Sequence, residues 1–262
     1  MNESGYPNHL KQKQQRLGEL AIVLLLALLA ACLRFYALDR LPPGLYHDEA
    51  FNGLDALSVL QGERPIFFEA NNGREPLFIY LVAASIALWG RSPGAIRFVS
   101  ACLGTMTVLA TYVMAREMFG RRVGLLAAFL MAVTFWPLNL SRIGFRAVAM
   151  PLFTALTVWS FWRGLRRGAP GDYIVAGIFW GLGFYTYLAS RFTVIVWALF
   201  VSYLLVTKRA QVSGGKFMLF AITALIVAAP LLGYALSHYE TFLERSRQIS
   251  IFNAAISRGK PW

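Results

Sequence analysis

Acidic residues, histidines and cysteines are scarce in this chain. Of 262 residues, 13 are Asp or Glu against 25 Lys or Arg, with 3 His and 2 Cys. Cys32 and Cys102 both lie inside apolar blocks, which argues against a structural disulfide or a cysteine metal pair. His9, His47 and His238 are scattered and offer no zinc-ligand spacing. Internal repeats are absent, and so is low-complexity sequence beyond the polar N-terminal arm. The net charge of +12 would suit nucleic acid in a protein with a basic face to spare. Here most of that charge falls in short loops between apolar blocks, where it orients helices, so nucleic acid is excluded as a partner.

Apolar residues are what the chain has in excess: 57% are hydrophobic and 15% are charged. Uncharged blocks run over 123–141, 173–190 and 217–238. Each is long enough to cross a hydrocarbon core of ~30 Å at ~1.5 Å per helical residue. Only helices satisfy the backbone in lipid, so the chain reads as an all-α integral membrane protein with the bilayer as its solvent. Leu29-Ala30-Ala31-Cys32 imitates a lipoprotein cleavage box, but the apolar run resumes at Phe35 and makes 19–38 a full-length first span.

Candidate spans are 19–38, 76–90, 94–115, 123–141, 147–162, 173–190, 192–207 and 217–237. Charge decides whether 76–90 crosses. If it does not, and the N-terminus is cytoplasmic, nine cations face inward: Arg116, Arg121, Arg122, Arg163, Arg166, Arg167, Lys208, Arg209 and Lys216. The opposing short loops carry Arg142, Arg146 and Arg191. That bias obeys the positive-inside rule, and letting 76–90 cross reverses it. The expectation is therefore a polytopic bundle of about seven spans in the cell membrane, with 76–90 lying in the outer interface. Residues 1–18 form a cytoplasmic polar arm, 19–236 the transmembrane domain with an outer loop at 39–93, and 237–262 an extracytoplasmic tail. The tail ends soon after a span, which suggests a chain truncated from a longer one.

The outer loop concentrates the chemistry. Asp48, Asn52 and Asp55 are spaced to share one helical face, close to where the chain leaves the first span. Phe51, Leu54, Leu57 and Leu60 are placed to rest on the bilayer surface or the bundle. Asp48 and Glu49 support two readings: first-turn acids that complement a helix dipole, or a general base poised at the interface. Arg97, Arg142, Arg146 and Arg191 fall at the outer membrane boundary. They either snorkel to headgroups or form a cationic cluster for a lipid-linked phosphate, which the planar guanidinium fork binds well. Glu75 is either a helix-start acid or a second carboxylate in the site. Gly177-x-x-x-Gly181 marks close helix packing.

The order of these features resembles the GT-C fold glycosyltransferases, in particular bacterial relatives of the dolichyl-phosphate-mannose protein mannosyltransferases and aminoarabinose transferases. The resemblance rests on Tyr46-His47-Asp48-Glu49-Ala50, Glu75-Pro76-Leu77-Phe78-Ile79-Tyr80, the stretch from Gly90 to Phe98, and Ser141-Arg142. It covers roughly residues 15–210. It implies sugar transfer from a polyprenyl-phosphate carrier to an acceptor on the outer face, with Asp48 as the acid that activates the acceptor hydroxyl, Glu49 as its neighbour, and 76–90 as a juxtamembrane helix. The chain departs from the oligosaccharyltransferase branch in that 141–151 holds Arg142 and Arg146 but no acid, which leans against a divalent metal, and no cofactor is expected. The Pro-Pro of the mannosyltransferases is Glu75-Pro76 here. By the residues and the resemblance together, Asp48 and Glu49 are the catalytic candidates. Arg142, Arg146, Arg97, Glu75, Asn52 and Arg191 are the substrate-binding candidates. A transporter or flippase and an inactive membrane fragment are the competing classes; the first would call for repeats, broken helices at matching positions and polar residues at the midplane, whereas the sequence shows no repeat and few polar residues inside its helices.

Overall fold

A computed structural model of the protein describes residues 8–71, 73–207 and 214–248. Residues 1–7 of the arm, Lys208 and Arg209, and the tail after Gln248 lie outside the described residues. Among the described residues the secondary structure is helical, with one antiparallel bridge between Phe68 and Arg74. The helices are α1 (Asn8–Phe35), α2 (His47–Leu60), α3 (Leu77–Trp89), α4 (Pro93–Phe119), α5 (Arg121–Val133), α6 (Phe135–Leu140), α7 (Ala149–Arg167), α8 (Pro170–Gly183), α9 (Thr193–Thr207), α10 (Gly214–Ser237) and α11 (Tyr239–Gln248). Short 3-10 turns at Arg146–Val148 and Leu188–Phe192 precede α7 and α9.

Three helical stretches are long and apolar enough to cross a membrane: Gln12–Phe35, Pro93–Phe119 and Gly214–Ser237. The outward faces of α1, α9 and α10 show why the chain needs lipid. Leu25, Leu28, Leu199, Val206, Leu225 and Ile226 stand exposed, a belt that water would not tolerate on a monomer.

The direction of each helix follows from pairs at the two ends of the bundle. At one end Arg116 of α4 binds Glu19 of α1, and Arg166 of α7 binds Glu117 of α4. At the other, Arg97 near the start of α4 donates to the carbonyl oxygens of Leu38 and Pro42 just beyond α1. Helices α1 and α4 are therefore antiparallel, and the intervening 39–92 stays at one end. Both flanks of α3 confirm this. The Leu77 amide donates to Tyr185 O at 3.0 Å, while the Ser85 hydroxyl donates to Ala95 O and Trp89 lies 5.7 Å from Phe98. Helix α3 leaves and rejoins the bundle at the same end.

The block expected as one span over 123–141 is broken. Pro137 has no amide hydrogen to give the carbonyl of Val133, and its ring crowds that turn, so α5 stops at Val133 and α6 restarts beyond Thr134. The last carbonyls of α5 find a partner in buried Arg34 of α1, which donates to Met131 O and Ala132 O at 3.1 Å each. The expected small-residue packing is present too: a Cβ on Gly177 would meet Phe220 O at 2.5 Å, and one on Gly181 would meet Val227 Cβ at 2.6 Å. Helices α8 and α10 are in backbone contact through these two positions.

Candidate active site at one end of the bundle

Helix α2 lies across the bundle end, and its neighbouring acids have different surroundings. Glu49 is fully buried. Four donors converge on its two oxygens: the Gly144 amide (2.7 Å) and Arg97 Nε (2.8 Å) on Oε1, the Tyr46 amide (2.8 Å) and Arg97 Nη2 (3.2 Å) on Oε2. Arg97, also fully buried, spends its remaining hydrogens on the carbonyls of Leu38, Pro42 and Gly44. Glu49 and Arg97, expected among the reacting and phosphate-binding groups, instead join α2 and α4 to the loop that follows α1. Asn52 is turned inward as well, its amide donating to Gly144 O at 2.8 Å. Glu49 and Asn52, one turn apart on α2, thus hold both backbone groups of Gly144. A Cβ there would meet Ile96 Cγ2 at 2.5 Å, so the approach requires glycine.

Asp48 stays partly exposed. Its side chain is 32% exposed, and Oδ1 accepts a long hydrogen bond of 3.4 Å from Asn71 Nδ2. Asn71 is delivered by a tight turn in which Phe68 and Arg74 pair through both backbone groups and Asn71 and Gly73 adopt positive φ. His47 Nδ1 lies 3.6 Å from Asp48 Oδ1.

Arg74, which the sequence reading passed over, lies along the α2 face predicted from spacing. Its Nη1 donates to Asn52 Oδ1 at 3.2 Å, its Nη2 pairs with Asp55, and its guanidinium sits 5.6 Å from the Phe51 ring centre. The signal available in the sequence was a cation directly preceding Glu75 in a turn whose one other charge is Glu69. Burial raises the pKa of the Asp55 carboxyl despite Arg74, and it lowers that of Arg74 despite Asp55. Desolvation outweighs pairing for both members.

Glu75 is buried between two arginines. Arg191 Nη2 donates to Oε1 at 3.1 Å, and Arg146 Nε lies 3.6 Å from Oε2. Arg191 is further tied to Phe242 of α11, through the carbonyl at 2.8 Å and over the ring at 3.6 Å. Arg146 is held more loosely: its guanidinium lies 5.4 Å from the Tyr187 ring centre, and its buried Nε makes no hydrogen bond among the described residues. Its pKa is lowered, first by burial, while Glu75, Tyr187 and Asp48 act to support its charge. Arg142 fastens the end of α1, donating to the carbonyls of Leu33, Arg34, Tyr36 and Leu41. The bundle end thus offers one partly exposed carboxylate, Asp48, within electrostatic reach of a cation with hydrogen-bonding capacity to spare, Arg146. Among the described residues no group of three or more His, Cys, Asp or Glu is placed to hold a metal ion.

Comparison with known proteins supports the fold. The family described as dolichyl-phosphate-mannose-protein mannosyltransferase matches residues 73–234. No curated protein sequence matches the chain. Among solved structures, ArnT from Cupriavidus metallidurans bound to undecaprenyl phosphate superposes with a TM-score of 0.59 at 16% identity, covering 88% of this chain and 43% of that one. The apo form of the same protein gives a TM-score of 0.61 at 13% identity over 96% of this chain and 45% of that one. The Archaeoglobus fulgidus oligosaccharyltransferase, in complex with zinc and sulfate, gives 0.62 at 16% identity over 90% of this chain and 38% of that one. At these identities the likeness is one of fold, and the chain spans less than half the length of each of these structures. The match over 73–234 places the chain in the dolichyl-phosphate-mannose-protein mannosyltransferase family, with a GT-C membrane fold.

Proposed function

We propose that the protein is a glycosyltransferase that moves a sugar from a polyprenyl-phosphate carrier to an acceptor hydroxyl at the outer membrane face, by inverting displacement. The observation that carries this reading is partly exposed Asp48 within electrostatic reach of Arg146, whose Nε makes no hydrogen bond among the described residues, at one end of a GT-C bundle. In this reading α1, α4, α5, α7, α8, α9 and α10 are the seven spans, the N-terminus is cytoplasmic, and α2, α3 and α11 lie at the outer interface.

Asp48 accepts the proton of the acceptor hydroxyl as its oxygen attacks the anomeric carbon. The bond from that carbon to the phosphate oxygen breaks, and its electron pair leaves on the phosphate. Arg146, backed by Arg191, neutralises the charge that grows there. A phosphate leaving group needs no proton if cations meet it, which suits a site with one exposed carboxylate among arginines; no metal is invoked. Glu49, Arg97, Asn52 and Arg142 serve by position: they fix α2, and with it Asp48, relative to the α6–α7 loop that carries Arg146.

The test is transfer from a radiolabelled polyprenyl-phosphate sugar by the reconstituted protein. Asp48→Asn is expected to lower the rate ~10²–10⁴-fold, the usual worth of a general base. Its affinity for polyprenyl phosphate should be unchanged. Arg146→Gln should weaken that affinity by roughly 10-fold, the loss of a charged hydrogen bond. Transfer at the normal rate by Asp48→Asn would remove the base assignment.

A further inference from the structure

The opposite end of the bundle holds a cavity that sugar transfer leaves unused. Its volume is about 450 Å3, and its lining is Arg116, Glu117, Gly120, Arg121, Arg166 and Arg167. The residues come from the end of α4, the turn into α5 and the end of α7, so three helices converge on it. Glu19 of α1 takes Arg116 and, at 3.9 Å, the Nε of Arg121; Glu117 takes Arg166 at 3.0 Å. Arg167 is exposed and makes no hydrogen bond or ion pair among the described residues. Four guanidinium groups against two carboxylates leave two positive charges uncompensated around an open space. The first turn of α5 adds to this field: Gly120 provides no side-chain cap and the turn holds no acid.

Orienting the helices explains a surplus of arginine at this end, but not why four of them surround a cavity. Arg122 shows the difference, since it is exposed at the same level and outside the lining. Phe119 and Val123, within two residues of the lining Gly120 and Arg121, stand exposed at 64% and 43%. An apolar surface adjoining a cationic one suits a molecule with a phosphate head and an acyl tail.

We propose that this cavity binds the phosphate of an anionic membrane lipid, with its acyl chains running along Phe119 and Val123. Guanidinium forks take phosphate oxygens in pairs, and basic recesses between membrane helices are suited to such headgroups. The surface ion pairs already present are weak enough for a phosphate to compete with. The site lies at the other end of the bundle from Asp48 and does not depend on the sugar-transfer reading.

The protein in phosphatidylcholine nanodiscs doped with phosphatidylglycerol or phosphatidic acid would be released, and its retained lipid counted by native mass spectrometry. Enrichment of the anionic lipids over phosphatidylcholine is expected at about fivefold per engaged arginine. The double variant Arg166→Gln, Arg167→Gln should bring enrichment close to that of the bulk bilayer, while Arg122→Gln should leave it nearly intact. Equal losses in the two would mean diffuse charge and overturn the site. Absence of enrichment in the unmodified protein would overturn it whatever the variants do. Millimolar inorganic phosphate is expected to leave the lipid in place; its displacement, with phosphate retained by the detergent-purified protein, would make the ligand a soluble phosphate and refute the lipid assignment.

Discussion

Replacing Glu49 by Gln changes one carboxylate oxygen to an amide NH2 at a site where every neighbour is a donor. The carboxylate accepts from Gly144 N and Arg97 Nε on one oxygen, and from Tyr46 N and Arg97 Nη2 on the other. An amide can serve one of these pairs. Its NH2 must then face the other pair at about 3 Å, donor against donor, whichever way it is turned. Arg97 is left with three carbonyl partners and no counter-charge at a position of no exposure. Breaking a buried pair by removing one partner costs about 3–5 kcal/mol. For a chain of this size that corresponds to a fall in melting temperature of roughly 6–20 °C. Asp48, one residue away, makes one long hydrogen bond from a partly exposed position, so Asp48→Asn should cost about 0.5 kcal/mol or less. Intrinsic-fluorescence melting of the two purified variants in one detergent measures the contrast. The double variant Glu49→Gln, Arg97→Gln should cost less than the sum of its singles, because no lone buried charge remains. If Glu49→Gln melted within 2–3 °C of the unmodified protein, roughly 1 kcal/mol, the assignment of Glu49 as the residue that fixes α2 would be wrong.

Gly181→Ala should destabilise by about 1–3 kcal/mol, since the new Cβ would press on Val227 Cβ at 2.6 Å and Ala224 O at 2.8 Å. A neutral melting temperature for this variant would contradict the close α8–α10 packing. Glu75→Gln removes the buried anion that competes with a bound phosphate for Arg146 and Arg191, so affinity for polyprenyl phosphate should rise about tenfold, the worth of one charged hydrogen bond. Weaker binding by titration calorimetry would show that Glu75 aims these arginines rather than restraining them. Burial raises the Asp55 carboxyl above its ordinary 3.8, so the folded state holds this proton more tightly than the unfolded one. The associated stability is present below 3.8 and is lost as pH climbs through the raised folded value. Melting across that window should fall less steeply in Asp55→Asn, and an unchanged slope would argue that Arg74 fully compensates the carboxylate.

Much of this architecture was legible in the sequence because membrane solvation is a coarse filter. Twenty apolar residues in a row can do little but span, and the arginine bias around 116–122 and 163–167 was enough to keep 76–90 on one side, where the structure puts both flanks of α3 together. Helical spacing likewise put Asp48, Asn52 and Asp55 on the face that Arg74 crosses, and Gly177 and Gly181 at a close contact. Spacing could not say which neighbouring acid looks outward. Asp48 and Glu49 differ by 100° around α2, and only the positions of Gly144 and Arg97, 95 and 48 residues further along the chain, turn Glu49 inward and leave Asp48 partly exposed. The same holds for the arginines at the outer boundary. Sequence placed Arg97, Arg142, Arg146 and Arg191 at similar depth, but which of them keeps hydrogen-bonding capacity depends on which carbonyls and carboxylates the folded chain brings within 3 Å. Depth in the bilayer is set by local hydropathy, one stretch at a time. Satisfaction of a buried charge is a property of distant partners, and the chain must fold before they exist.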